Sequence, residues 1–226
     1  SAWVVLMKGP AHIDGEVHYA ELRALSNFSF LTGASHPAEL VDRAKELGYR
    51  ALAITDECSL AGVVRAHVAA KQVGLKLLVG SQFRVQCDAP FTLVVLATNR
   101  NGYGNLCQFI TDLRRASPKG TYRLTLEGLR PAALDDCVLI ACPDRTCDAA
   151  QVQRVAEWLL FRFVGRCWLG VEQLRQLDDA GWLYKLRQAS DATAIPLVAV
   201  GDVNMHVRAR KALQDVLTAV RVGRPL

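Results

Sequence analysis

Residues 35–79, SHPAELVDRAKELGYRALAITDECSLAGVVRAHVAAKQVGLKLLV, alternate two amphipathic helices with two short apolar strands. Ser35-His36-Pro37 supplies a capping candidate and a proline at the first turn, where its missing N–H removes no helical bond. Leu40, Val41, Ala44 and Leu47 then share one face, and Gly48 ends the helix. Ala51–Ile54 is uniformly apolar and reads as a strand buried on both faces. A second helix follows, with Ser59 as cap and Leu60, Val63, Val64, His67 and Val68 as its stripe. On that stripe His67 reads as a core histidine. Gly74 is the stop, and residues 76–79 are the next strand.

The same rhythm extends in both directions. Residues 19–22 read as a strand upstream. Downstream come a strand at Phe91–Ala97 and a helix at 101–115 with Leu106, Phe109, Ile110 and Leu113 inward. Residues 117–122, with Pro118 and Gly120, read as a loop. Strands at 138–141, Cys167–Val171 and 197–200 then alternate with helices at 148–163, 178–193 and 208–222. Trp158, Trp168 and Trp182 fall at expected core positions. This alternation argues an α/β fold with a mainly parallel sheet, and about seven such units can close into a β/α barrel. Residues 1–18 fit no unit and are expected to form an N-terminal arm, leaving 19–226 as the domain.

Composition narrows the functional classes. With 226 residues, 51% of them hydrophobic, the chain can bury a real core, which argues against disorder. No apolar run approaches the ~18 residues of a membrane helix. Residues 155–171 come nearest and are broken by Glu157, Arg162 and Arg166. The apolar run at 2–7 is too short for a signal peptide core. Ser1 is not an initiator methionine, so a trimmed chain is expected. The seven cysteines are an odd count in a chain large enough to need no staples, which points to a reduced, cytoplasmic protein. Cys137, Cys142 and Cys147 recur every five residues, but without a paired histidine they read as packing rather than zinc ligands. The net charge of +5, from 27 Lys+Arg against 22 Asp+Glu, permits a polyanion partner without requiring one. The one basic cluster, Arg208, Arg210 and Lys211, could meet nucleic-acid phosphates. A solvated helix face or a contact to the rest of a longer protein is the stronger reading.

In a parallel barrel the site lies beyond the carboxyl ends of the strands. Polar residues gather there: Arg23 to Asn27 after the first strand, Thr55-Asp56-Glu57-Cys58 after the second, and Gly80-Ser81-Gln82 after the third. Cys142-Pro143-Asp144, Glu172-Gln173 and Gly201 to His206 follow later strands.

Five segments carry a resemblance: YAELRALSNFSFLTGAS, ALAITDECSLAG, GLKLLVGSQF, LATNRNGYGNL and VAVGDVNMHVRARKALQDVLTAVR. In this order and spacing they resemble the PHP (polymerase and histidinol phosphatase) domain that opens bacterial C-family DNA polymerases, the DNA polymerase III alpha-type subunits. TDECSLAG and GDVNMHVRARKALQD look most like the error-prone, translesion subgroup. The resemblance runs from about Tyr19 to the end. It implies a PHP-type distorted seven-stranded β/α barrel and, in active members, a cluster of up to three zinc or manganese ions that hydrolyses phosphoesters.

At the ligand positions the resemblance breaks. The family's His-x-His after the first strand aligns with Arg23 and Leu25. Its Asp-His aligns with Asp56 and Glu57, and its glutamate after the third strand with Gln82. A ligand cysteine of some members aligns with Cys142, which is kept. The final Asp-x-His aligns with Asp202 and Asn204. Leu25 has no donor atom, and Arg23 is a permanent cation that cannot bind a metal. No metal is therefore expected, and Arg23 is expected to pair with Asp56, Glu57 or Asp202 in the ion's place.

The resulting expectation is an inactive structural module at the N-terminus of an error-prone polymerase, whose Mg-dependent nucleotidyl transfer would lie outside this chain. The implied partners are the remainder of the polymerase, primer–template DNA, the sliding clamp and damage-response accessory proteins, with no membrane. Two alternatives stay open. One is a metal-dependent phosphoesterase or 3′–5′ exonuclease with Zn or Mn held by Asp56, Glu57, Cys142, Asp202 and His206. The other is a DNA-binding module using the basic last helix.

Overall fold

A computed structural model describes residues 19–225; the expected arm at 1–18 lies outside the described residues. The described chain divides into two compact units, one of residues 19–81 with 201–225 and one of residues 82–200.

The first unit begins with β1 (Ala20–Ala24), α1 (Pro37–Glu46), β2 (Ala51–Ile54) and α2 (Val63–Val73). It continues into the first part of β3 (Lys76–Gln86) and ends with α6 (Lys211–Val222). β1, β2 and β3 are parallel, with Ala20 opposite Ala51 and Ala51 opposite Lys76. Pro37 opens α1 as expected, and the Glu39 carboxylate accepts the His36 N–H at 2.8 Å. Gly48 follows the helix in the left-handed region at φ 73°. Leu40, Val41 and Ala44 of α1 pack with Leu52 and Ile54 of β2 and with Ala66, Ala69 and Ala70 of α2.

That alanine face corrects the expected stripe of the second helix. Val64 and Val68 are exposed, as is His67, which is no core histidine. The helix starts at Val63 rather than near Ser59, and Gly62 lies so close to Asp56 that a Cβ there would meet Oδ2 at 2.5 Å. A helix held this near its neighbours can turn only small side chains inward.

The second unit holds the end of β3, β4 (Phe91–Ala97), α3 (Arg100–Arg115) and the two-residue β5 (Leu124–Thr125). After these come β6 (Cys137–Pro143), α4 (Ala149–Arg162), β7 (Cys167–Val171), α5 (Asp179–Thr193) and β8 (Leu197–Ala199). β6, β7 and β8 are parallel, whereas β4 runs antiparallel to β6. The reversal has a simple cause. Only residues 87–90 separate β3 from β4, and a parallel crossover needs about a dozen or more residues. β5, absent from the sequence reading, pairs with β3 through Val85 and Gln86.

Local signals set the helix starts here. The Asn99 side chain caps α3 by accepting the Gly102 N–H at 3.0 Å. Asp148 and Gln151 form a reciprocal capping box at α4, with bonds of 2.8 and 2.9 Å. Trp182 is buried as expected, but Trp158 and Trp168 are only half-buried. Trp158 sits at the rim of an aromatic group with Phe91 and Phe163. None of the seven cysteines forms a disulfide. Burial pushes the Cys137 and Cys167 thiols up to about 11, so both stay protonated packing residues at neutral pH.

Candidate functional site

β1 and β2 deliver their carboxyl ends side by side, and the segment after β8 joins them. Val203 forms a parallel bridge with Ala24, fixed by Leu25 N–H to the Val203 carbonyl at 2.8 Å and Val203 N–H to the Arg23 carbonyl at 3.0 Å. This register sets Asp202 against Arg23. The Arg23 Nη2 lies 3.1 Å from Asp202 Oδ1, with the arginine side chain 9% and the aspartate 26% exposed. Of the carboxylates offered by the sequence, Asp202 is thus a partner of Arg23. Asp202 itself holds a left-handed φ of 47°, as do Cys58 after β2 at 45° and Leu31 in the loop after β1 at 57°. Such conformations are uncommon outside glycine and mark loops constrained by their surroundings.

Asp56 is engaged differently. It is 1% exposed. Its Oδ1 accepts the Ser26 N–H and the Ser29 hydroxyl, each at 2.8 Å, and its Oδ2 accepts the Ser26 hydroxyl at 2.7 Å. Burial still raises its carboxyl above the ordinary aspartate range, against the pull of those bonds. The Ser81 hydroxyl donates to the Asp56 carbonyl at 2.7 Å, and the Glu57 N–H donates to Ser29 Oγ at 3.0 Å. Leu25 is 2% exposed and presents only carbon. Asn204 donates from Nδ2 to the Asp202 carbonyl at 3.0 Å. Gln82, 5% exposed, and Cys142, also 5% exposed, belong to the second unit. The Cys142 sulfur fills the space above Gly170, where a Cβ would meet it at 2.5 Å.

The serines were not singled out from the sequence, although Ser26 stands among the polar residues that follow β1. Ser81 likewise stands among those named after the third strand, whereas Ser29 left no signal; the available one is the pair of hydroxyls, Ser26 and Ser29, in the loop that follows β1.

Glu21 is a further residue that sequence reasoning passed over. It is 2% exposed on β1, and its Oε1 accepts the Arg23 N–H at 2.8 Å and the Gly201 N–H at 2.9 Å. Oε2 accepts the Tyr19 hydroxyl at 2.9 Å. The carboxylate therefore clasps β1 to the segment after β8, and a Cβ at Gly201 would meet Oε2 at 2.2 Å. Burial raises the Glu21 carboxyl pKa despite these bonds. A raised folded pKa gives stability that is complete below the unfolded value, about 4.3, and is lost as pH rises through the folded one. Glu21→Gln can keep all three contacts and cannot titrate. Relative to that variant, the parent should lose melting temperature from about pH 4 upward and then level off. A difference independent of pH would contradict the clasp carrying a buried charge.

His206 joins the same loops. The Ser35 hydroxyl and His206 Nδ1 are 2.7 Å apart, the His206 N–H donates to Ser35 Oγ at 2.9 Å, and Glu39 Oε2 lies 3.8 Å from the same Nδ1. A catalytic triad needs its serine and its carboxylate on different ring nitrogens. Here both meet one nitrogen, and Ser35 is 1% exposed, so the trio is a loop clasp. The basic cluster is also partly engaged: Arg210 pairs with Glu39, and Lys211 with Asp215 at 2.7 Å, while Arg208 is exposed.

The PHP domain model matches residues 21–155, more than half of the chain. The chain belongs to the PHP domain family. It is 53% identical over 94% of its length to an error-prone DNA polymerase of Methylococcus capsulatus. It is 52% identical over 90% of its length to one of Dechloromonas aromatica. In both cases it spans 20% of the relative's length, about a fifth. Among solved structures, a Bifidobacterium adolescentis protein described as a metal-dependent phosphoesterase superposes with a TM-score of 0.62 at 15% identity, covering 85% of this chain and 89% of its own. An amidohydrolase of Chromobacterium violaceum gives 0.64 at 16% identity, covering 82% and 87%. These likenesses bear out the mixed α/β, mainly parallel PHP-type fold.

The residues that the family resemblance aligns with metal positions do not, by their chemistry, fit a metal cluster. Arg23 brings a cation and Leu25 brings no donor. The Asp202 carboxylate faces a guanidinium, and Asp56 is surrounded by hydrogen-bond donors. Among the described residues, no group of three or more His, Cys, Asp or Glu side chains is arranged to hold an ion. Nor is any helix of the described residues long and apolar enough to cross a membrane.

Proposed function

We propose that this chain is the N-terminal PHP domain of an error-prone DNA polymerase used in translesion synthesis in the cytoplasm. In this reading the domain is a structural module rather than a hydrolase. The similarity to error-prone polymerases over more than nine-tenths of the chain supports the first part. The observation that supports the second is the Arg23–Asp202 ion pair, with a guanidinium at a position that the family resemblance aligns with a ligand histidine. A fixed positive charge there neutralises a carboxylate that would otherwise require an ion.

Nucleotidyl transfer and its Mg ions would belong to residues outside this chain. Primer–template DNA, the sliding clamp and damage-response accessory proteins would be met through the whole protein. The DNA-binding alternative is weakened by Arg210 and Lys211, whose charges are already paired with Glu39 and Asp215.

The test is metal content by mass spectrometry on untagged protein purified without chelator. Less than about a tenth of an equivalent of zinc, manganese and iron is expected, because the donor chemistry disfavours each of them. One equivalent or more would overturn the metal-free reading. It would also call for phosphoesterase and exonuclease assays, with Asp202→Ala as the control.

A further inference from the structure

α6 has no buried residue. Leu213, Val216, Leu217 and Val220 recur along it at the spacing that lines one helix face. Leu213 is 41% exposed, Val216 43% and Val220 61%, so the stripe faces solvent in the described structure. Among the described residues, few polar contacts hold the helix. Its N-cap, Arg210, makes no side-chain capping bond, and its first turn holds no acidic residue. Lys211 and Arg210 instead set positive charge against the positive end of the helix dipole. The Arg210–Glu39 pair tethers only its start. At 12 residues, α6 falls within the length range where isolated helices are marginal in water, about 12–15 residues, and such helices are stabilised by covering the apolar face.

We infer that the Leu213–Val216–Leu217–Val220 face is the docking surface for the remainder of the same polypeptide, an inference that rests on the polymerase reading above. About four-fifths of each matched relative lies outside the aligned region, so a covering segment is present at high effective concentration without any second molecule. The stripe is aliphatic and uncharged, and it selects an apolar helix face or loop of that remainder rather than nucleic acid.

Hydrogen exchange on the full-length protein tests this. The amides of residues 213–222 should exchange on the order of a hundredfold more slowly than unstructured amides. That protection should not depend on protein concentration or on residues 1–18. Val216→Asp and Val220→Asp should abolish it while leaving the amides of β1 and β2 protected. Val222→Lys, on the opposite side of the helix, should leave it intact. Rates within about tenfold of unstructured amides would overturn the inference. So would protection that grows with concentration, which would assign the face to a second copy. Protection lost when residues 1–18 are deleted would assign it to that segment and likewise overturn the inference. Primer extension by the same preparation tests the underlying reading separately. Extension without α6 protection would fail the docking surface alone, whereas protection without extension would fail the polymerase assignment alone.

Discussion

Asp56→Ala should be the most damaging single substitution in the first unit. It removes the acceptor of three hydrogen bonds, from the Ser26 N–H, the Ser26 hydroxyl and the Ser29 hydroxyl, at a position 1% exposed to solvent. A buried donor left without a partner costs about 1–3 kcal/mol. The two hydroxyls can rotate toward other acceptors, but the Ser26 N–H cannot. The expected loss is about 3–5 kcal/mol, measured by urea or guanidinium denaturation at constant m-value. Asp56→Asn should lose only about 1–2 kcal/mol, since its carbonyl oxygen can keep the two bonds made to Oδ1. If Asp56→Ala were as stable as Asp56→Asn, the serine network would not be holding this corner of the fold.

Arg23→Ala should be nearly as costly, and addition of metal should not rescue it. Breaking one side of a fully buried ion pair costs about 3–5 kcal/mol. Asp202 retains 26% exposure, which lets water take up part of the uncompensated charge. The expected loss is therefore lower, about 2–4 kcal/mol. A double-mutant cycle with Asp202→Ala should return a coupling of about 1–3 kcal/mol. Arg23→Lys should recover only part of the stability, because an ammonium lacks the planar fork. Equal denaturation midpoints for Arg23→Ala and the parent would sink the idea that this pair replaces an ion. A stability restored by zinc or manganese would argue instead for a working metal pocket.

These two substitutions also separate what could be read from residue order from what could not. Strands β2, β4 and β7 fall at the expected residues because each is a short, continuous apolar run between turn signals, and helix α1 starts at the expected proline, whose missing N–H costs no helical bond in the first turn. Beyond Val63, which is buried as expected, the inward face of α2 was misread because periodicity ranks valine above alanine, whereas it is Ala66, Ala69 and Ala70 that pack against α1 and β2. The antiparallel direction of β4 was not singled out, although β4 follows β3 with no helix between them, a break in the alternation that implies parallel strands elsewhere. That Arg23 and Leu25 cannot ligate a metal was legible, since it depends only on which atoms those side chains carry; their place at ligand positions rests on the family resemblance.

By itself, then, the sequence determined the order and type of most elements, the PHP resemblance and the unsuitability of Arg23 and Leu25 as metal ligands. These are properties of local pattern and of single side chains. Only the tertiary structure decided that Arg23 meets Asp202, that Ser26 and Ser29 hold Asp56, and that Glu21 clasps Gly201. Each of these contacts joins segments far apart in the chain. Its partner is chosen by strand register and loop closure, and a buried polar group takes whichever donor or acceptor that closure brings within hydrogen-bond distance.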